Sequence, residues 1–107
     1  MQKRGPGDQQ LESLAGLFRL LSDKTRLNIL LLLAKGESNV TSLCNELALP
    51  QPTVSHHLGL LRMSNLIANR RAGKQVFYEL DGRIDAADGK SLSVKTDGFQ
   101  VKIGTHD

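Results

Sequence analysis

Only Ala48-Leu49-Pro50 separates two short apolar-periodic segments, and that spacing constrains the fold more than any other feature of the chain. Before it, Val40, Leu43, Cys44 and Leu47 recur at helical steps behind Asn39, a residue suited to capping a helix start. After it, Pro52 sits in a first turn, where its missing amide costs nothing, and Val54, Leu58 and Leu61 form an inward face. Two short helices joined by so tight a turn predict a helix-turn-helix. The second helix of that motif can enter the major groove of B-DNA, which is about 12 Å wide.

The second segment, QPTVSHHLGLLR from Gln51 to Arg62, contains no acid. With Val54, Leu58 and Leu61 inward, a step of about 100° per residue puts Thr53, His56 and Leu60 on the far side. Ser55, Gly59 and Arg62 then fall on an adjoining flank, and His57 lies beside the core face. Amides at a helix start attract phosphate, uncharged polar side chains read base edges, and an acid would repel the duplex. Gln51, Thr53, Ser55, His56 and Arg62 are therefore candidate DNA contacts, with Gln51 suited to adenine or phosphate. His57 fits a half-buried structural histidine as well as a DNA ligand. Gly59, which costs about 1 kcal/mol against alanine in a helix interior, hints at close packing or close backbone approach.

The flanking sequence supplies a core and a wing. Leu11, Leu14, Ala15, Phe18 and Leu21 repeat at helical spacing, and Leu17 and Leu20 widen the stripe beyond what one small core needs. Leu11, Leu14 and Phe18 are accordingly expected at a homodimer seam. Ser22 or Asp23 suits the start of a second helix that runs to about Lys35 and stops at Gly36; apolar almost all round, it should be central. From Leu66 to Leu80 the pattern alternates like a strand pair, with Arg71-Ala72-Gly73-Lys74 as its turn. Arg70, Arg71 and Lys74 cluster there, where long cationic side chains can reach a DNA backbone or minor groove.

After Asp81 the stretch DGRIDAADGK reads as loop, and its acids as turn formers. Leu92 and Val94, then Phe99, Val101 and Ile103, alternate on either side of Lys95-Thr96-Asp97-Gly98, predicting a second hairpin. Phe99, Val101 and Ile103 are assigned to the subunit seam. The expected architecture is mainly α with a β-hairpin wing: a flexible lead-in over 1–10, a winged helix-turn-helix domain over 11–80, and a hairpin extension over 81–107.

Charge distribution sharpens the reading. The formal net charge is only +3, but residues 51–78 hold Arg62, Arg70, Arg71 and Lys74 and no acid, whereas the segment from Asp81 holds five acids against four bases. The positive field is therefore local. A single cysteine rules out an internal disulfide and suits a reducing compartment, so a cytoplasmic location is expected. The most apolar run, LNILLLLA, is far shorter than the roughly 20 residues of a membrane span, and the N-terminus lacks a secretory signal. No phosphate loop, nucleophile elbow or zinc-protease motif is present, so no enzymatic chemistry and no cofactor are expected. The rival class is a winged-helix module that docks an acidic protein.

The segments LSDKTRLNILLLLAKGE, NVTSLCNELALPQPTVSHHLGLLRMSNLI and ANRRAGKQVFYEL resemble the ArsR/SmtB-type winged-helix repressors of bacteria over about residues 11–80. Asp-x-Thr-Arg-Leu from Asp23 and Gln-Pro-Thr-Val-Ser-x-His-Leu from Gln51 are specific in combination. The resemblance implies a homodimer that binds a double-stranded DNA operator with two recognition helices and releases it on binding an inducer, which the sequence does not identify. Many members hold a soft metal through cysteines in the helix before the recognition helix. The matching ESNVTSLCNEL keeps only Cys44, with Asn39 and Thr41 where other thiolates would stand, and one thiol falls short of the roughly four N or S ligands of a structural site. Other members bind zinc between paired C-terminal helices, a pattern absent here, so no metal site is expected.

Overall fold

The computed structural model describes residues 7–88 and 90–106. Helices α1 (Asp8–Leu21) and α2 (Lys24–Ala34) lead into a short strand β1 (Ser38–Asn39), followed by α3 (Val40–Leu47) and α4 (Gln51–Met63). The remainder is β: β2 (Ile67–Ala72), β3 (Gln75–Leu80), β4 (Ile84–Asp85), β5 (Leu92–Thr96) and β6 (Phe99–Ile103).

Local chemistry sets the helix boundaries. Helix α1 opens at Asp8, inside the expected flexible stretch 1–10, because the Gln10 side chain reaches back to accept from the Gly7 amide at 3.0 Å and Asp8 favours the positive helix start. Asp23 caps α2 by accepting from the Arg26 amide at 3.0 Å, and Asn39 caps α3 by accepting from the Ser42 amide at 2.7 Å. Ala48 closes α3 in the left-handed conformation (φ 56°, ψ 44°), and the Leu49 amide then donates to the Cys44 carbonyl at 3.2 Å. Side-chain crowding at a non-glycine residue in that conformation costs about 1–2 kcal/mol, so tertiary packing must hold this turn.

That packing is centred on α2, whose Ile29 and Leu30 are fully enclosed. Helices α1, α3 and α4 and strand β3 all lie against α2. Leu17 and Leu21 enter from α1, Leu43 from α3, and Val54, Leu58 and Leu61 from α4, all buried as their periodicity requires. Strands β1, β3 and β2 form an antiparallel sheet in that order, which makes the fold a winged helix-turn-helix. Ala72 faces Gln75, so the wing turns on Gly73-Lys74 alone, with Gly73 at φ 66° taking the positive dihedral that a two-residue hairpin needs. Arg71 belongs to β2 rather than to the turn.

The expected C-terminal hairpin is present as β5–β6, and β4 adds a third antiparallel strand to give the sheet β4–β5–β6. Ile84 and Asp85, within the supposed loop, pair with Val94 and Ser93. A two-residue strand has too few positions to show alternation, which also hid β1. Ile84, Leu92 and Val94 are buried, and β5 packs on α1. Arg83 ties this sheet to the end of α4, donating from Nη1 to the Ser64 carbonyl at 2.6 Å and from Nε to the Lys95 carbonyl at 3.0 Å. The β5–β6 turn reaches the start of α1, where a Cβ on Gly98 would lie 2.7 Å from Gln10 Nε2, and the turn itself favours glycine through its φ of 84°. Val101 and Ile103 are half-buried and pack against the chain's own core.

Replacing Leu92 with alanine should therefore destabilise the whole chain by about 2–5 kcal/mol in urea unfolding, as core truncations do; an unchanged midpoint would mean that the sheet is not part of the core. Acid should act through Asp23. Its carboxyl is held below the ordinary value of 3.8, first by the hydrogen bond from the Arg26 amide and then by the neighbouring His57 and Arg26 side chains. A depressed folded-state value means that the cap's contribution is complete above 3.8 and is lost as pH falls through the lower value. Asp23→Ala should thus cost about 0.5–2 kcal/mol near neutrality, with the gap to the parent chain closing in strong acid.

Candidate nucleic-acid interface

The exposed start of α4 is built by what its other side buries. With Val54, Leu58 and Leu61 inward, Gln51, Pro52, Thr53, Ser55, His56 and Arg62 are all exposed. Pro50 stands at the N-cap position in an extended conformation, no side chain caps the helix, and its first turn holds no acid. Pro52 has no amide hydrogen and the Thr53 amide donates to the Pro50 carbonyl at 3.1 Å, so what the exposed helix start offers an anion is chiefly the positive end of the helix dipole. Leu60, expected on the far side, is half-buried. Gly59 is half-buried too, yet a Cβ there would meet nothing within 4 Å, so packing within the chain does not demand the glycine.

His57 departs from the exposed set. Its side chain is 14% exposed, with Nδ1 3.2 Å from Arg26 Nη1. Arg26 is thus engaged inside the protein, its Nε also donating to the Leu20 carbonyl at 2.7 Å. Residues at the end of one helix and the middle of another carry no shared sequence signal.

The wing presents Arg70, Arg71 and Lys74, all exposed, beside the start of α4: Gln51 and Lys74 line the same cleft of about 350 Å³, together with Thr41, Cys44 and Gln75. Arg70 also has partners within the chain. Its Nε and Nη2 grip the Glu37 carboxylate at 2.9 and 2.8 Å, and its guanidinium lies 4.9 Å from the Phe77 ring centroid. Each partner stabilises the other's charged form: the Arg70 hydrogen bond holds the Glu37 carboxyl below its ordinary range, and the carboxylate pushes Arg70 up. Bidentate geometry makes this pair a strut between β2 and the segment ahead of β1. Among the described residues Arg71 and Lys74 make no ion pair, so they are the wing cations left for an outside anion.

Helix α1 exposes Leu11 (49%), Ala15 and Phe18 (52%) along one stripe, while Leu14 and Phe99 are half-buried. Exposed large apolar side chains aligned on one helix are unusual on a monomer's surface.

A family model described as "Bacterial regulatory protein, arsR family" matches residues 23–69, the stretch from the Asp23 cap to the first half of the wing. The arsenical resistance operon repressor of Escherichia coli is 49% identical over 77 residues, or 71% of this chain. That match spans 66% of the repressor's own length, so the chain covers just under two thirds of this relative. Among solved structures, NolR from Sinorhizobium fredii superposes with a TM-score of 0.67 at 34% identity, covering 77% of this chain and 83% of that one. The homodimeric winged helix-turn-helix DNA-binding domain Mb0332 from Mycobacterium bovis superposes with a TM-score of 0.63 at 30% identity, over 75% and 77% of the two chains. The fold, the acid-free α4 and these matches agree: the chain belongs to the ArsR family of bacterial regulatory proteins.

Proposed function

We propose that this chain is a homodimeric, sequence-specific DNA-binding repressor that reads an operator with α4 and grips the flanking backbone with its wing. The observation that carries the proposal is the start of α4: an exposed, acid-free helix end presenting Gln51, Thr53, Ser55 and His56, with Lys74 of the wing sharing a cleft with Gln51. Short polar groups meet base edges, Arg62 and the wing cations neutralise phosphates, and the duplex supplies the acceptors that the chain lacks. The likeness to a repressor and to a homodimeric DNA-binding domain supports the same assignment. The absence of catalytic motifs supports a regulator without chemistry of its own, and the lone Cys44 supports a cytoplasmic setting.

Dimerisation through α1 follows from the exposed Leu11–Phe18 stripe and the need for two reading heads on one operator. Leu14 and Phe99, half-buried at its margins, would complete the seam, with Val101 and Ile103 supporting from beneath.

Electrophoretic shift with a duplex selected from random sequence by the parent chain tests the reading head. Joint replacement of Thr53, Ser55 and His56 with alanine should weaken binding to that duplex by at least about tenfold and hardly change binding to random DNA. Affinity should also fall steeply with salt, each lost phosphate contact flattening the log–log slope by about 0.9. A flat salt response with no preference between duplexes would instead favour docking of an acidic protein. For the dimer, the double variant Leu11→Glu and Phe18→Glu should sediment as a folded monomer and lose operator affinity; a variant that stays dimeric would remove α1 from the seam.

A further inference from the structure

Arg26 and His57 lie 31 positions apart, on α2 and α4, and meet through their side chains. Arg26 Nη1 is 3.2 Å from His57 Nδ1. The guanidinium is anchored from behind, Nε donating to the Leu20 carbonyl at 2.7 Å, and Asp23 Oδ2 stands 4.0 Å from Nη1. Asp23 Oδ1 accepts from the Arg26 amide at 3.0 Å and lies 4.0 Å from His57 Nδ1, too far for a hydrogen bond. The two side chains are only 15% and 14% exposed, and the exposed His56 ring beside them contacts the His57 ring edge-on at 5.4 Å.

A guanidinium carries donors only and keeps its proton, so the contact requires Nδ1 to accept. The imidazole is then neutral and carries its hydrogen on Nε2. Among the described residues that Nε2–H has no hydrogen-bond partner and no buried side-chain nitrogen or oxygen lacks one, so Nε2 is not fully enclosed. His57 itself is half-buried on the flank of α4, next to the inward Val54, Leu58 and Leu61.

We propose that Arg26, held by the Leu20 carbonyl and Asp23, locks His57 in its Nε2–H form and thereby makes His57 a hydrogen-bond donor to a phosphate of the bound duplex. The proposal rests on α4 meeting DNA, as argued above. A donor beside the core face is too recessed for the floor of a groove and suits its wall, where the phosphate oxygens accept and never donate. Arg26 is a positioning residue in this arrangement. Its charge is spent inside the protein, and the family-matched Asp23 and Arg26 connect the α1–α2 corner to the recognition helix.

Two conservative variants separate the inner contact from the outer one. His57→Asn keeps an acceptor near the Nδ1 position and loses the outer donor; His57→Gln places an amide nitrogen near the Nε2 position. Fluorescence anisotropy with the selected duplex and with a random duplex should show His57→Asn weakened by about tenfold or more on both, the size of a hydrogen bond to a charged group. His57→Gln should recover most of that loss, and the urea midpoint of His57→Asn should stay near that of the parent chain. Nitrogen-15 spectra of the free, full-length protein should show His57 neutral with the hydrogen on Nε2, and Arg26→Ala should convert it to a mixture of tautomers. If Arg26→Ala does not fold, the His57 pair and the parent spectrum decide alone. An Nδ1–H tautomer in the parent chain, or parent-like binding by His57→Asn, overturns this proposal while leaving the reading head intact. A parent chain that selects no duplex overturns the DNA assignment and this proposal together.

Discussion

Burial of Val54, Leu58 and Leu61 beneath α2 is the interaction on which the rest of this molecule depends. Two faces of one thirteen-residue helix have opposite needs: one must leave water, the other must stay bare and polar. The enclosed Ile29 and Leu30 of α2 supply the surface that takes the first face, and only then does the second stand out from the protein. Large aliphatic side chains each contribute about 1.5–3 kcal/mol when fully buried, which outweighs the strained turn at Ala48 that brings α4 into place.

Polar contacts then fix orientation where apolar packing cannot. The Arg70–Glu37 pair braces the wing, Arg83 ties the last sheet to the C-terminal end of α4, and Arg26 reaches from α2 to His57. Each is a planar guanidinium with several donors in fixed directions, able to bind two groups at once. Three arginines thus serve the architecture, and the cations left to meet an anion are fewer than the charge pattern alone suggests. In the proposed complex Arg71 and Lys74 are the wing cations without an ion pair of their own, and Arg70 would meet a phosphate while sharing its guanidinium with Glu37.

The β4–β5–β6 sheet gives α1 an added layer on one side while its Leu11–Phe18 stripe stays open on another. The extension is therefore joined to the core rather than appended to it. Its attachment is part apolar, through Ile84, Leu92 and Val94, and part polar, through Arg83 and the approach of the Gly98 turn to Gln10.

Periodicity and capping chemistry determined a great deal by themselves. The caps at Asp23 and Asn39, the Pro52 helix start, the inward triplet of α4 and the alternation of the wing are all interactions within a few residues, and local sequence carries them. The polar, acid-free face of α4 was legible for the same reason. What only the tertiary structure decided are pairings across long separations: Glu37 with Arg70, Arg26 with His57, Arg83 with Ser64, and the two-residue strands β1 and β4. A charged side chain shows its sign in the sequence but not its partner, and a two-residue strand has no period. Ala48 shows the limit plainly, since the left-handed turn that defines the motif is held by packing from both sides and not by any preference of the residue that makes it.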